Sequence, residues 1–199
     1  MSRRMRPKSF DPDQALERAM LQFWATGYEG ASMQSLVDCM GISRQSLYDT
    51  FGNKRALFEA ALARYREHFL LPRLALLIAP QTRPRDAIAG YLSSAVAQPE
   101  SLPSGCLMVR AITELEDADA LLAGFARDCI GEMFAALVGV IERGQACKDF
   151  DPTRPAEALA RLVLTTASGA HVLHRLPAHG QEFRPLPEVV LAAIAARAN

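Results

Sequence analysis

The sequence predicts an all-α chain of about nine helices, and three observations carry that expectation. Apolar residues recur at helical spacing through most of the chain. No alternating run of the kind a half-buried strand requires stands out. The twelve Gly and twelve Pro fall mostly between the periodic segments, where they punctuate rather than interrupt.

The first helix is expected from Pro12 to about Thr26. Asp11 is its cap, Pro12 suits the first helical position, and Gln14 completes a capping-box-like pattern. Ala15/Leu16, Ala19/Met20 and Phe23/Trp24 form one apolar stripe, and Gly27 is the expected stop. A short helix follows over Met33–Met40, capped by Ser32 and ended by Gly41. A second short helix runs from the cap Ser43 to about Phe51, with Ile42 and Leu47 placed for a hydrophobic staple. Asn53 caps a longer helix with Leu57, Phe58, Ala61, Leu62, Tyr65 and Phe69 on one side. Beyond Pro72, helices are expected near 84–98, 105–116, 118–146, 153–175 and 186–198, with prolines at their joints.

The 199 residues and 21.7 kDa suffice for one ordinary domain or two small ones with a real core, which excludes disorder as the main state. Acidic and basic residues balance at 22 each, so no global charge selects a partner. The distribution is uneven: residues 1–68 hold 10 basic and 8 acidic side chains, and Arg3, Arg4, Arg6 and Lys8 form a basic arm with no acid among them. The arm is expected to be disordered and to add non-specific affinity. Cys39, Cys106, Cys129 and Cys147 form no CxxC pair, which argues against a disulfide scaffold or zinc ribbon and suits a reducing compartment. The longest apolar run, Val189–Ala196, is far short of a membrane span, and no apolar signal region follows the basic start. The expectation is a soluble cytoplasmic protein with no cofactor and no membrane partner.

Residues 32–51, SMQSLVDCMGISRQSLYDTF, carry the chemistry. Gly41 permits the left-handed turn between two capped helices. With about 100° per residue, Leu47 and Phe51 define the buried side of the second helix. Gln45 and Asp49 lie opposite, flanked by Ser46 and Tyr48, with Arg44 in the first turn. Gln and Arg can make bidentate contacts to adenine or guanine edges in the major groove. Tyr48, Ser43 and helix N-termini suit phosphate oxygens, and Lys54 can hold another beside the next cap. Ser32 and Gln34 complete the candidate DNA-facing set. Read as residues alone, the same stretch also fits a plain helical hairpin with a solvated polar face.

The run from Ala15 to Phe58 resembles the N-terminal domain of the TetR/AcrR family of bacterial transcriptional regulators. Phe23, Gly27-Tyr28, Ser32-Met33, Gly41-Ile42-Ser43, Ser46-Leu47-Tyr48, Phe51, Asn53-Lys54 and Leu57-Phe58 carry the resemblance. It implies an N-terminal three-helix helix-turn-helix DNA-binding domain (with the arm, residues 1–53), a linking helix (54–72) and a C-terminal helical ligand-binding and dimerisation domain (73–199). Two residues depart from the family pattern. Val37 stands where a small residue is usual. Asp49, at a DNA-facing position, is expected either to accept from a cytosine amino group or to interact with Arg44 or Arg55.

Ser104-Gly105-Cys106-Leu107-Met108 is similar to a stretch that opens the sixth helix in one branch of the family. The helical pattern offers Tyr91, Met108, Thr113, Phe125, Cys129, Met133, Phe134, Thr166 and His171 as candidate lining of an effector cavity. A Met/Phe stripe at this spacing is equally a core. Arg110 is a candidate partner for an acidic group on a ligand. His171 and His174 are three apart with His179 nearby, but no Cys or acid stands at matching spacing, so no metal site is expected. Cys147 beside Lys148 is the one thiol with an activating neighbour. Ala158, Leu159, Leu162, Val163, Thr166, Ala167 and Ala170 form one small-residue face, and Val189, Val190, Ala193, Ile194 and Ala196 another. Both are expected at a homodimer seam.

The resulting expectation is a DNA-binding regulator, a repressor released from a near-palindromic operator on double-stranded DNA by a small apolar or aromatic effector. The alternatives are a DNA-binding dimer without an effector and an all-helical enzyme. Against the enzyme, the sequence has no Ser-His-Asp spacing, no HExxH and no phosphate-binding glycine loop.

Overall fold

The computed structural model describes residues 10–97, 99, 101–173 and 183–196. The basic arm, His174, His179 and the last two residues of the expected final helix lie outside the described residues. In chain order the elements are α1 (Pro12–Gly30), α2 (Met33–Met40), α3 (Arg44–Phe51), α4 (Lys54–Tyr65), a π turn (Arg66–Leu70) and α5 (Leu71–Ile78). They continue with α6 (Pro84–Val96), α7 (Leu107–Leu115), α8 (Ala120–Ala146), α9 (Ala156–Leu173) and α10 (Leu186–Ile194). α4, the π turn and α5 run on without a break, so the described residues form nine helical bodies. The one β-type pairing among the described residues is an isolated antiparallel bridge between Phe150 and Ala195.

Local chemistry sets the ends of the first four helices. The Asp11 carboxylate accepts from the Asp13 N–H at 2.9 Å, one residue short of a capping box, so Gln14 closes no box. Gly27 departs from helix at φ 83, ψ 176, a region essentially reserved for glycine, and α1 then resumes for one turn. Ser32, Ser43 and Asn53 each accept an N–H three residues on, at 3.0, 3.0 and 2.9 Å. Gly41, at φ 68, ends α2 in a Schellman motif: Ile42 N–H reaches Val37 O and Gly41 N–H reaches Asp38 O.

The linking helix expected to end at Pro72 continues to Ile78. A proline inside an α-helix removes an N–H and clashes with the carbonyl four residues back. Here the wider turn absorbs the conflict. Leu71 N–H bonds five residues back to Arg66 O, and Pro72 then starts a fresh α register in the first turn of α5.

Two hydrophobic cores result, and their boundary differs from the chain order. The first joins α1–α4 to Leu107, Met108, Ala111 and Leu115 of α7 and the start of α8. The second gathers α5, α6, the later half of α8, α9 and α10 around Ile88, Leu137, Phe150 and Val163. The expected seam faces divide accordingly. Leu159, Val163, Ala167 and Ala170 pack within their own chain, whereas Ala158 and Leu162 face outward and Thr166 is half-buried. On α10, Val190 and Ile194 are buried, whereas Val189 (59% exposed) and Ala193 face outward. A helix in a two-sided position needs apolar residues on both sides, which is why sequence spacing merged the two faces.

Candidate nucleic-acid interface and the junction behind it

α3 is held by one buried anchor, Leu47, with Ile42 and Phe51 half-buried beside it. Arg44, Gln45, Tyr48 and Asp49 stand exposed on the opposite side, Tyr48 at 44%. Ser32 and Gln34 of the preceding segment are exposed as well. The Ser43 and Ser46 hydroxyls share a 2.9 Å hydrogen bond at the start of α3. Lys54 Nζ lies 4.5 Å from the centre of the Tyr28 ring, a cation–π contact that aims the ammonium before any partner arrives.

Asp49 pairs with neither Arg44 nor Arg55, which removes one of its two expected roles and leaves the contact to a cytosine amino group. It accepts from Gln45 Nε2 at 2.8 Å, and Gln34 donates to Asp38 in the same way at 2.9 Å. Both are i, i+4 pairs on exposed helix faces, so the spacing alone carried the signal. Arg55 is engaged elsewhere: it pairs with Glu59 at 3.6 Å and forks onto the Asp119 carboxylate. Asp119 also caps α8 by accepting from Leu122 N–H. Arg55 holds the Asp119 carboxyl below the usual carboxylate range.

That pair belongs to a polar seam between the helix-turn-helix and the rest of the chain. Trp24 Nε1 donates to Gly105 O at 3.1 Å, and Arg110 Nη1 to Ala25 O at 3.1 Å. Tyr28 N–H donates to Glu114 Oε2 at 2.8 Å, while Arg110 Nε lies 3.4 Å from Glu114 Oε1. A Cβ on Gly27 would fall on the Glu114 carboxylate, so glycine is needed for close approach as well as for its φ. Arg66 of the π turn meets Glu132 of α8 at 2.7 Å. Arg110 is therefore built into this seam.

The seam borders a cavity of about 190 Å³ lined by Trp24, Gly105, Cys106, Arg110, Glu114 and, among the effector candidates, Thr113 and His171. Tyr91, Met133 and His171 line a tighter space of about 20 Å³ deeper in. The structure does not bring the other candidates to these cavities. Met108 is wholly buried in the first core, and Cys129 is buried beside Arg66. Phe125 lies on the outer side of α8, and the Arg161 guanidinium covers the Phe134 ring at 4.8 Å. Thr166 Oγ1 bonds back to Leu162 O at 2.8 Å. Sequence reasoning passed over Trp24, Glu114, Arg73, Ser94 and Ser168 as lining residues, because nothing local distinguishes them. All four thiols are free: Cys106 and Cys129 are buried, Cys39 is half-buried and Cys147 is exposed. No cluster able to hold a metal ion occurs among the described residues, and no helix among them is long and apolar enough to cross a membrane.

An exposed recognition helix fused to a helical body with internal cavities defines a helix-turn-helix transcriptional regulator. Two family descriptions match: "Bacterial regulatory proteins, tetR family" over residues 15–61, and "Tetracyclin repressor-like, C-terminal domain" over residues 83–186. The HTH-type transcriptional repressor ComR of Escherichia coli (strain K12) is 31% identical over 198 residues, covering 94% of both chains. YezE of Bacillus subtilis (strain 168), an HTH-type transcriptional regulator, is 52% identical over 62 residues, 31% of this chain and 32% of that one. Among solved structures, a cysteine mutant of the TetR-family regulator CifR complexed with 26-bp double-strand operator DNA is 33% identical. It superposes with a TM-score of 0.82 over 95% of this chain and 99% of that one. The chain belongs to the TetR family of bacterial regulatory proteins, and it is a DNA-binding transcriptional regulator.

Proposed function

We propose that the protein is a cytoplasmic repressor that binds a near-palindromic operator as a homodimer and leaves it when a small molecule occupies the C-terminal half. Residues 1–53 and Lys54 meet DNA, the rod through Ile78 links, and the remainder senses and dimerises. Base reading falls to Arg44 and Gln45, with Ser32, Gln34, Ser46 and Asp49 around them. Ser43, Tyr48 and Lys54 hold phosphates. In free protein Gln45 is tied to Asp49, so reading adenine requires Gln45 to exchange one acceptor for another.

One observation carries the release step. Arg110 and Glu114 both line the junction cavity and bond to the end of α1, at Ala25 O and Tyr28 N–H. A guest that shifts either side chain changes the seating of the helix-turn-helix on the body. A ligand acts only through its differential affinity for the two arrangements, and the coupling is reciprocal. ComR is a named repressor, and CifR was captured on its operator, which supports the DNA-bound half of the reading. The outward residues Leu162 and Val189 supply apolar contact for a second copy.

The deciding experiment is fluorescence anisotropy on the inverted repeat flanking the gene, against an effector library, with protein stability followed in parallel. A compound that both stabilises the protein and weakens operator binding is the expected result. Operator binding that no stabilising compound changes would leave a dimeric DNA-binding protein without an effector.

A further inference from the structure

Away from the junction, a groove of about 180 Å³ opens between α5 and α6, lined by Leu76, Leu77, Ala87 and Gly90. It is joined to the deeper space of about 20 Å³ by three shared residues, Arg73, Tyr91 and Ser94. That neck, large enough for about one water, shares Cys106, Val109 and His171 with the junction cavity. The three spaces therefore lie in series, from the surface to the end of α1.

Arg73 stands where the groove meets the neck. It is half-buried, and no carboxylate among the described residues lies within ion-pair distance of it. Arg55, Arg64, Arg66, Arg110 and Arg127, by contrast, each have one. The neck's polar lining consists of Arg73, Tyr91, Ser94, Ser168, His171 and Cys106, with no acid. The one acid on the groove, Asp86, is exposed. Burial pushes the Tyr91 hydroxyl far above its ordinary range, so it remains an O–H donor at any working pH.

Gly90 is the second observation. A glycine in a helix interior is unfavourable, yet Gly90 sits in the middle of α6 with no positive φ to justify it. A Cβ built there meets nothing within 4 Å. Its missing side chain thus leaves the groove open instead of relieving a clash. Apolar cavities of about 150 Å³ take up a benzene ring, so this groove is ring-sized.

We propose that the groove binds a small monocarboxylate with a ring-sized apolar body, its carboxylate on Arg73, Tyr91 and Ser94 and its body against Leu76, Leu77 and Ala87. One guanidinium without a second cation matches one negative charge, and its planar fork fits a carboxylate. The ligand sits on the rod whose far end carries Lys54 and Arg55, so a shift of α5 reaches the DNA face. As an effector site this rests on the release reading above.

The test uses full-length protein with benzoate as probe and benzamide as its neutral counterpart, reading direct binding by calorimetry and operator affinity by anisotropy. Benzoate should bind at least about tenfold more tightly than benzamide, and Arg73→Gln should remove that preference while leaving benzamide unchanged. Gly90→Leu should abolish benzoate binding with the thermal midpoint unchanged or raised. No benzoate binding to the wild type, or binding that both variants leave intact, overturns the proposal. If a neutral compound releases the operator while benzoate does not bind, the release reading stands and the carboxylate site falls. If benzoate binds with the expected variant pattern but operator affinity is unchanged, the carboxylate site stands and its effector role falls, while release through the junction cavity is decided by the effector screen.

Discussion

The two cores of this molecule are built from different materials. The first is closed around aromatic rings: Trp24 meets Tyr65 and Phe69 edge-on at 4.9 and 5.0 Å, and Phe23 meets Phe58 at 4.8 Å. The second is largely aliphatic and alanine-rich, with Phe150 as its one fully buried ring. Interlocked rings have few alternative arrangements, whereas alanine, leucine and valine against half-open grooves can be displaced by a guest. A recognition surface requires the first kind of packing and a sensor the second.

The largest expected effect breaks the first core. Trp24→Ala removes two edge-on ring contacts and the bond to Gly105 O, at a cost of about 3–5 kcal/mol. Chemical denaturation should show that loss, and operator binding should disappear with it. Leu162→Glu tests the outer side of the second core, where Leu162 is 37% exposed in one chain. An unpaired charge in a dimer seam costs about 3–5 kcal/mol. Sedimentation should report monomer with helix content intact, whereas a dimer would place the seam elsewhere. Ala167→Glu would be the wrong probe, since Ala167 is buried in its own chain.

Gln45→Ala probes the surface that the rigid core presents. It should cost about 1–3 kcal/mol on the cognate operator and almost nothing on scrambled DNA, with the thermal midpoint unmoved. Equal losses on both duplexes would reassign Gln45 to the backbone. In the softer region, Gly90→Ala should raise stability by up to about 1 kcal/mol, read as a higher denaturation midpoint. The smallest effect at neutral pH concerns the seam between the two regions. Because the Asp119 pKa is lowered, its contribution is full above the ordinary carboxylate value of about 3.9 and is lost as pH falls through the folded value. Protection from hydrogen exchange at the start of α8, taken relative to the intrinsic amide rate at each pH, should therefore be flat near neutrality and fall only in acid, and Asp119→Asn should remove that fall.

Legibility followed the same divide. Ser32, Ser43, Asn53 and Gly41 announce helix ends through bonds to residues at most five positions away, so their roles could be read from spacing. The Gln45–Asp49 pair was equally local, but the charge on Asp49 drew attention to arginines that the fold sends elsewhere. Arg73 and Ser94 lie 21 positions apart, and Cys106 and His171 lie 65 apart, on helices that only tertiary packing brings together. No period along the chain distinguishes a wall residue such as Met133 from a core residue such as Met108.

The π turn at Arg66–Leu70 sets the phase of the whole rod. Wider by one residue than an α turn, it takes up one extra residue and sets α5 back by about 100° relative to the same sequence wound as an uninterrupted helix. Lys54 at one end and Arg73 at the other are thus clocked against each other by a single residue. Deleting one position between Arg66 and Leu70 would remove the wide turn and leave Arg73 facing as it does now, whereas rewinding the same residues as an ordinary helix would swing it a quarter-turn or more around the axis. A lineage that kept every residue but lost the wide turn would keep its DNA head while presenting a different wall to whatever the body encloses.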